Sequence, residues 1–236
     1  MNAFSRKRIV RGSIGIAAAG ALALSLAACS TDSGESTDTA SSSSSASSEP
    51  SAASTPAATI ADLSNGVDTQ VAVDASFVEA LTTLGLTPGV VGTAGFDAAT
   101  GTFSFPITGG NVDYYGPDSD VRPYVQGEID HDGSGLSLTA GDTVVELTDF
   151  RIDPGESKLY GTVTANGAVA AEDAYLFNLW GGTLEPIKME GTNAVLTGTT
   201  VHISPDAAAL LNETFGTDQV QDEMLVGTAT ITAATE

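Results

Sequence analysis

Thr143 to Ile152 reads TVVELTDFRI, and its alternation of apolar and polar residues has the two-residue period of a β-strand with one buried face. It ends at Asp153-Pro154-Gly155, residues that favour a turn, and Lys158 to Ala165 (KLYGTVTA) resumes the alternation. Asn166-Gly167 follows, the pair that suits a two-residue hairpin turn whose central positions both take positive φ. Strands joined by such turns build an antiparallel sheet, and the same grammar runs outward from this hairpin. Upstream, Thr102 to Thr108 (TFSFPIT) reads as a strand, Gly109-Gly110-Asn111 as a turn and Val112 to Tyr115 as a strand. Val121 to Ile129 (VRPYVQGEI) and Gly135 to Thr139 are two more, separated by an Asp- and Gly-rich turn. Downstream, Ala174 to Leu179, Leu184 to Met189, Ala194 to Ile203 and Met224 to Ala233 complete about ten strands. Their regular spacing predicts a single all-β domain, sandwich-like or a partly open barrel.

Two short helices interrupt the strands. Asp74 is placed to cap Ala75 to Leu84, with Phe77, Val78, Leu81 and Leu84 on one stripe and Gly85 as the stop. Ser204 is placed to cap a second, with Pro205 at its first position, Ala208, Leu211 and Phe215 on its inner face and Gly216 past its end. Both are expected to plug an open end or edge of the sheet.

The N-terminal residues carry an address. Arg6, Lys7, Arg8 and Arg11 precede an apolar run of 16 residues, Ser13 to Ala28 (SIGIAAAGALALSLAA). That is short for a permanent span, which needs about 20 residues, and suits a secretory signal core. Leu26-Ala27-Ala28-Cys29 resembles the lipobox of bacterial lipoproteins, which implies cleavage before Cys29 and a diacylglycerol thioether on its sulfur. Cys29 is the only cysteine, so such a chain has neither disulfides nor a free thiol. Ser30 to about Thr59 is Ser, Thr, Ala, Asp, Glu and Pro apart from Gly34, with five serines at Ser41 to Ser45. It has too little apolar surface to offset its ordering entropy, and as a flexible coil it reaches roughly 30 Å. The organisation expected is a signal peptide over residues 1–28, lipidated Cys29 with a disordered tether to residue 66, and the all-β domain over 67–236.

Charge removes one class of partner. Taking the four N-terminal basic residues from the −22 of the whole chain leaves −26, with Arg122, Arg151, Lys158 and Lys188 against 30 acids. Such a field repels phosphate backbones, so nucleic acid is not an expected partner.

Candidate chemistry centres on three groups. Asp130-His131-Asp132-Gly133-Ser134-Gly135 sets oxygen ligands at alternate positions before a glycine, as a calcium loop requires, with Asp130, Asp132 and Ser134 as ligands and Asp142 as a helper. The twelfth position is Gly141 rather than a bidentate acid, and a polar β-turn explains the same residues. His131 and His202 are the only histidines and form no HxH or HxxxH pair for zinc; His131 is expected in a turn and His202 facing solvent on a strand. Tyr114, Tyr115 and Tyr124 flank Gly116-Pro117, where tyrosines can hold a ligand, haem iron included, or edge a core. Gly133-Ser134-Gly135 is not a nucleophile elbow, which needs its first glycine two residues before the serine. No enzyme is expected.

The run from Phe103 to Asp153 carries a strand, then Gly109-Gly110, then Gly127-Glu128-Ile129-Asp130-His131-Asp132-Gly133-Ser134-Gly135-Leu136-Ser137-Leu138, then an alternating strand. It resembles part of the HtaA-type domain of actinobacterial surface haem-uptake proteins, in which a similar turn joins two strands. His131 matches that turn's histidine, while Asp132 stands in place of a small residue. The resemblance implies an all-β envelope domain, with haem a possible cargo. The reading is a surface lipoprotein anchored to membrane lipid through Cys29, its β domain a non-enzymatic binding or envelope-interaction module for an unidentified envelope protein or small ligand. The alternatives are an HtaA-type haem or small-ligand binder, with Tyr114, Tyr115, Tyr124 and His131 around the ligand, and a calcium-stabilised adhesive module.

Overall fold

The computed structural model describes residues 54–116 and 118–235. The expected signal peptide, Cys29 and most of the tether lie outside these residues. In chain order the first elements are β1 (Ala58–Ile60), β2 (Asp68–Val73), α1 (Ala75–Leu84), β3 (Thr87–Gly92), β4 (Gly95–Asp97), β5 (Thr102–Pro106), β6 (Gly109–Tyr114) and β7 (Val125–Ala140). Then come β8 (Thr143–Asp153), β9 (Lys158–Ala165), β10 (Ala168–Trp180), β11 (Lys188–Glu190), β12 (Asn193–Ile203), α2 (Pro205–Phe215) and β13 (Leu225–Ala234). The strands form one antiparallel sheet in the order β1-β6-β7-β8-β9-β10-β12-β13-β2-β5-β4, with β3 added to β7 and β11 to β12. The fold is all-β with two helices, as the alternation predicts.

The sheet curls on itself for a reason visible in the chain. β5 and β6 sit towards opposite ends of the hydrogen-bonded order, yet only Ile107 and Thr108 separate them. The run 102–114 therefore serves both walls. At its middle the Ile107 N–H donates to the Val67 carbonyl (3.2 Å) and the Thr108 N–H donates to the Asp130 carbonyl (2.8 Å). The core fills the inside of this curl, with Phe105, Ile129, Val145, Phe150, Ile152 and Val163 among its buried residues.

The helices follow their sequence signals. The Asp74 carboxylate accepts from the Ser76 N–H at 2.8 Å, and Gly85 ends α1 at φ 67°. Ser204 accepts from the Ala207 N–H at 3.0 Å, Pro205 opens α2, and Gly216 ends it at φ 65°. Leu81, Ala208 and Leu211 are buried as the stripes require, whereas Val78 is half exposed. The hairpin at Asn166-Gly167 has the required positive φ at both residues, 51° and 80°.

Three expectations are corrected. Gly109-Gly110-Asn111 is not a turn but the start of β6, where Gly110 takes φ 104° and a Cβ would stand 2.1 Å from the Glu128 carbonyl oxygen. The stretch 130–135 is not a loop between two strands either. It is a bulge inside the single strand β7, where the register with β8 slips between His131 and Gly135. The folded unit also begins before residue 67: β1 pairs with β6, and Leu63 is buried at 1% exposure.

Candidate functional site

The inside of the curl holds two adjoining cavities. The smaller, about 270 Å3, lies under the helices: Phe77, Val78 and Leu81 of α1 and Leu211 of α2 line it with Phe96, Phe103, Phe105 and His131. The larger, about 490 Å3, is lined from the other side by Ile60, Leu63, Ile107, Val112, Leu184, Ile187 and Met189, with Tyr114, Arg122 and Tyr124. Ile152, Leu179, Thr199 and Ile231 line both. Both helices contribute to the smaller cavity and neither to the larger.

Tyr114 ends β6, and Tyr124 precedes β7, so strand pairing brings them to one place. The Tyr115 N–H donates to the Tyr124 carbonyl at 2.6 Å and holds the two segments together beside the larger cavity. The Arg122 guanidinium sits 4.2 Å from the centroid of the Tyr124 ring and donates from Nη1 to the carbonyls of Ser119 and Val121, the latter at 2.7 Å. Tyr115 lies beside these residues but does not line the cavity.

His131 is elsewhere. It lines the smaller cavity, on β7 rather than in a turn, at 1% exposure. A carbonyl oxygen can only accept, so Nδ1 carries the proton and donates to Phe150 O at 3.2 Å. Nε2 is then the acceptor for the Thr69 hydroxyl at 2.8 Å. This bond joins β7 to β2 across the inside of the curl. Burial in an apolar setting, partly opposed by the Phe150 carbonyl, pushes the imidazole down from 6.5 to about 4. The imidazole is therefore neutral and engaged on both nitrogens. The structure brings Tyr114 and Tyr124 together but does not bring His131 to them.

The calcium candidates sit along the bulge. Ser134 is fully buried and its hydroxyl donates to the His131 carbonyl at 3.0 Å, so it serves the bulge itself. The Asp132 N–H donates to the Thr108 hydroxyl (2.9 Å), and the Gly133 N–H donates to the Asp149 carboxylate (2.9 Å). Burial, reinforced by the negative charges of Glu128 and Asp132 and opposed by Arg151, raises the Asp130 carboxyl above its ordinary range. Among the described residues no three His, Cys, Asp or Glu side chains are grouped as a metal site. His202 lies on β12, half-buried rather than solvent-facing, stacked at 4.4 Å against Trp180.

Sequence reasoning missed Arg122 and the apolar walls. Arg122 was visible only as one of four bases; that it lines a cavity follows from where β6 and β7 meet. The aliphatic lining comes from strands between Ile60 and Ala233, and no local spacing reports that convergence.

No protein-family model matches the chain, and comparison with curated proteins gives no match. Among solved structures it is similar to the C-terminal domain of HtaA from Corynebacterium glutamicum (16% identity, 75% of this chain and 98% of that one, TM-score 0.48). It is also similar to the heme binding protein HtaB from the same organism (10% identity, 76% and 96%, TM-score 0.47). At these identities the likeness does not extend to ligands.

Proposed function

We propose that this chain is a surface lipoprotein, anchored through Cys29, whose β domain binds a small, predominantly apolar ligand without transforming it. The larger cavity carries this reading: about 490 Å3 of largely hydrocarbon-walled space with two tyrosines and one arginine along its lining. Concave, mostly apolar space with few polar groups is the usual form of a small-molecule site, and the mouth of a curled sheet is a usual place for one.

The test uses the purified protein and an environment-sensitive apolar fluorophore. A ligand that binds only the folded state adds about 2.7 kcal/mol at a hundred times its Kd, enough to raise Tm by several degrees. Leu196→Trp, which fills the larger cavity from β12, is expected to abolish both the fluorescence gain and the shift while the protein still folds. Probe binding that ignores Leu196→Trp would sink the reading. In cells, Cys29→Ala is expected to leave the membrane fraction or persist as precursor.

Haem is a second reading, favoured by one observation: Tyr114 and Tyr124 share the larger cavity, and a phenolate is a known axial ligand. The residues fit. Either tyrosine would hold the iron, while the haem would supply the cargo's iron and porphyrin. His131, neutral and bonded on both nitrogens, takes no part. Haemin binding with an absorbance band lost in Tyr114→Phe or Tyr124→Phe supports this reading; a band that survives both variants removes it.

A further inference from the structure

We infer that the two cavities act as one elongated compartment, and that its ligand is a single long aliphatic chain running from the larger cavity past Ile152 and Ile231 into the smaller. This rests on the cavity reading above and adds the ligand's shape to it. Residues directly opposite one another on antiparallel strands share a face of the sheet. In one such row Ile152 of β8 stands opposite Ile129 of β7 and Leu159 of β9. Ile129 lines the larger cavity, Leu159 the smaller and Ile152 both. In a second row Ile231 of β13 stands opposite Leu196 of β12 and Thr69 of β2. Leu196 lines the larger cavity, Thr69 the smaller and Ile231 both. Two separate rows of side chains thus pass from one cavity to the other, each with an isoleucine at the border.

The sizes suit one occupant better than two. The larger cavity, about 490 Å3, lies within the roughly 300–1,000 Å3 usual for a ligand site, and the smaller, about 270 Å3, lies below it. The smaller space is therefore better fitted to receive the end of a ligand than to hold one of its own. Leu179 and Thr199 also touch both cavities, so the border is made of side chains that can change rotamer. A slender chain passes between them with small adjustments, whereas a broad, rigid ring system stops in the larger cavity. Each methylene that passes the border leaves water for an apolar space that water itself fills poorly.

The experiment measures displacement of the apolar fluorophore from the purified protein by straight-chain alcohols from octanol to hexadecanol. Affinity is expected to rise about fourfold per methylene until the chain fills both cavities. Val71→Trp, which fills the smaller cavity from β2, is expected to end the rise at a shorter chain and leave octanol competition unchanged. Phe77→Leu, which enlarges the smaller cavity from α1, is expected to extend the rise to a longer chain, a gain that misfolding cannot imitate. Parent and variants are compared with the same alcohol at the same concentration, so its solubility does not enter. A rise that ends at the same chain length in parent and Phe77→Leu overturns the inference and leaves the cavity reading standing, as does one that a folded Val71→Trp does not shorten. A failure of the fluorophore and of every alcohol to bind removes the cavity reading as well.

Discussion

His131 shows how one side chain can be mistaken for a site. In the sequence it stands between two aspartates before a glycine, where a ligand or a turn residue is expected. In the fold its ring is a buried strut, donating to Phe150 O and accepting from Thr69. The consequence is a pH dependence of definite sign. An unfolded histidine binds its proton near 6.5, whereas the folded one does so at about 4. Between those values the unfolded chain holds more protons, so stability rises with pH through the window and is complete above 6.5. Acidification from 7 to 4 is expected to remove about 3 kcal/mol through this residue alone. The check is urea unfolding of parent and His131→Gln at several pH values. The difference between them should shrink steadily as pH falls; a difference that stays flat from pH 7 to 4 refutes the assignment.

At the scale of elements, the signals that were legible are those written in adjacent residues. Caps at Asp74 and Ser204, stops at Gly85 and Gly216 and the Asn166-Gly167 turn each depend on a backbone preference of the residue itself. The bulges were not read, although Thr143 to Ile152 contains one. Val145 and Leu147 point inward, then Phe150 and Ile152 do, so the alternation slips by one place across Thr148-Asp149. Asp149 absorbs the slip at φ 54°, a left-handed conformation that aspartate tolerates better than most residues. Its carboxylate also accepts from the Gly133 N–H in the facing bulge of β7 (2.9 Å) and from the Thr148 hydroxyl (2.9 Å). Asp149→Ala loses both bonds and keeps the awkward backbone, at an expected cost of about 2 kcal/mol; Asp149→Asn should cost clearly less. Chemical denaturation of the two variants decides it, since equal losses would show that the acceptor plays no part. β2, β3 and β4 were also unread. β3 is Thr-Pro-Gly-Val-Val-Gly, whose proline and glycines argue against a strand until β7 offers it an edge to pair with. The candidate site was legible in part: the tyrosines stood out as aromatics near a loop, but the cavity exists only once the sheet curls.

The whole molecule is dominated by its charge. The chain's formal −22 repels itself more strongly in the compact state than in the expanded one, so screening should stabilise the fold. Asp130 concentrates this effect, because burial and the charges of Glu128 and Asp132 already oppose its ionisation. Replacing it with asparagine removes a charge that folding disfavours. Asp130→Asn is therefore expected to raise Tm at low ionic strength, and the gain should fade as sodium chloride screens its neighbours. Calcium supplies the contrast, since Asp130 and Asp132 also head the candidate ion loop. If calcium acts only as a screening cation, its effect on Tm persists in Asp130→Asn, and this is the outcome expected from a strand whose Ser134 hydroxyl is turned to the His131 carbonyl. A calcium shift present in the parent and absent in Asp130→Asn would reverse that conclusion and make the bulge a metal site. Both arms are read from thermal unfolding of two proteins in two salts at matched ionic strength, which separates a local ligand from the general field of the molecule.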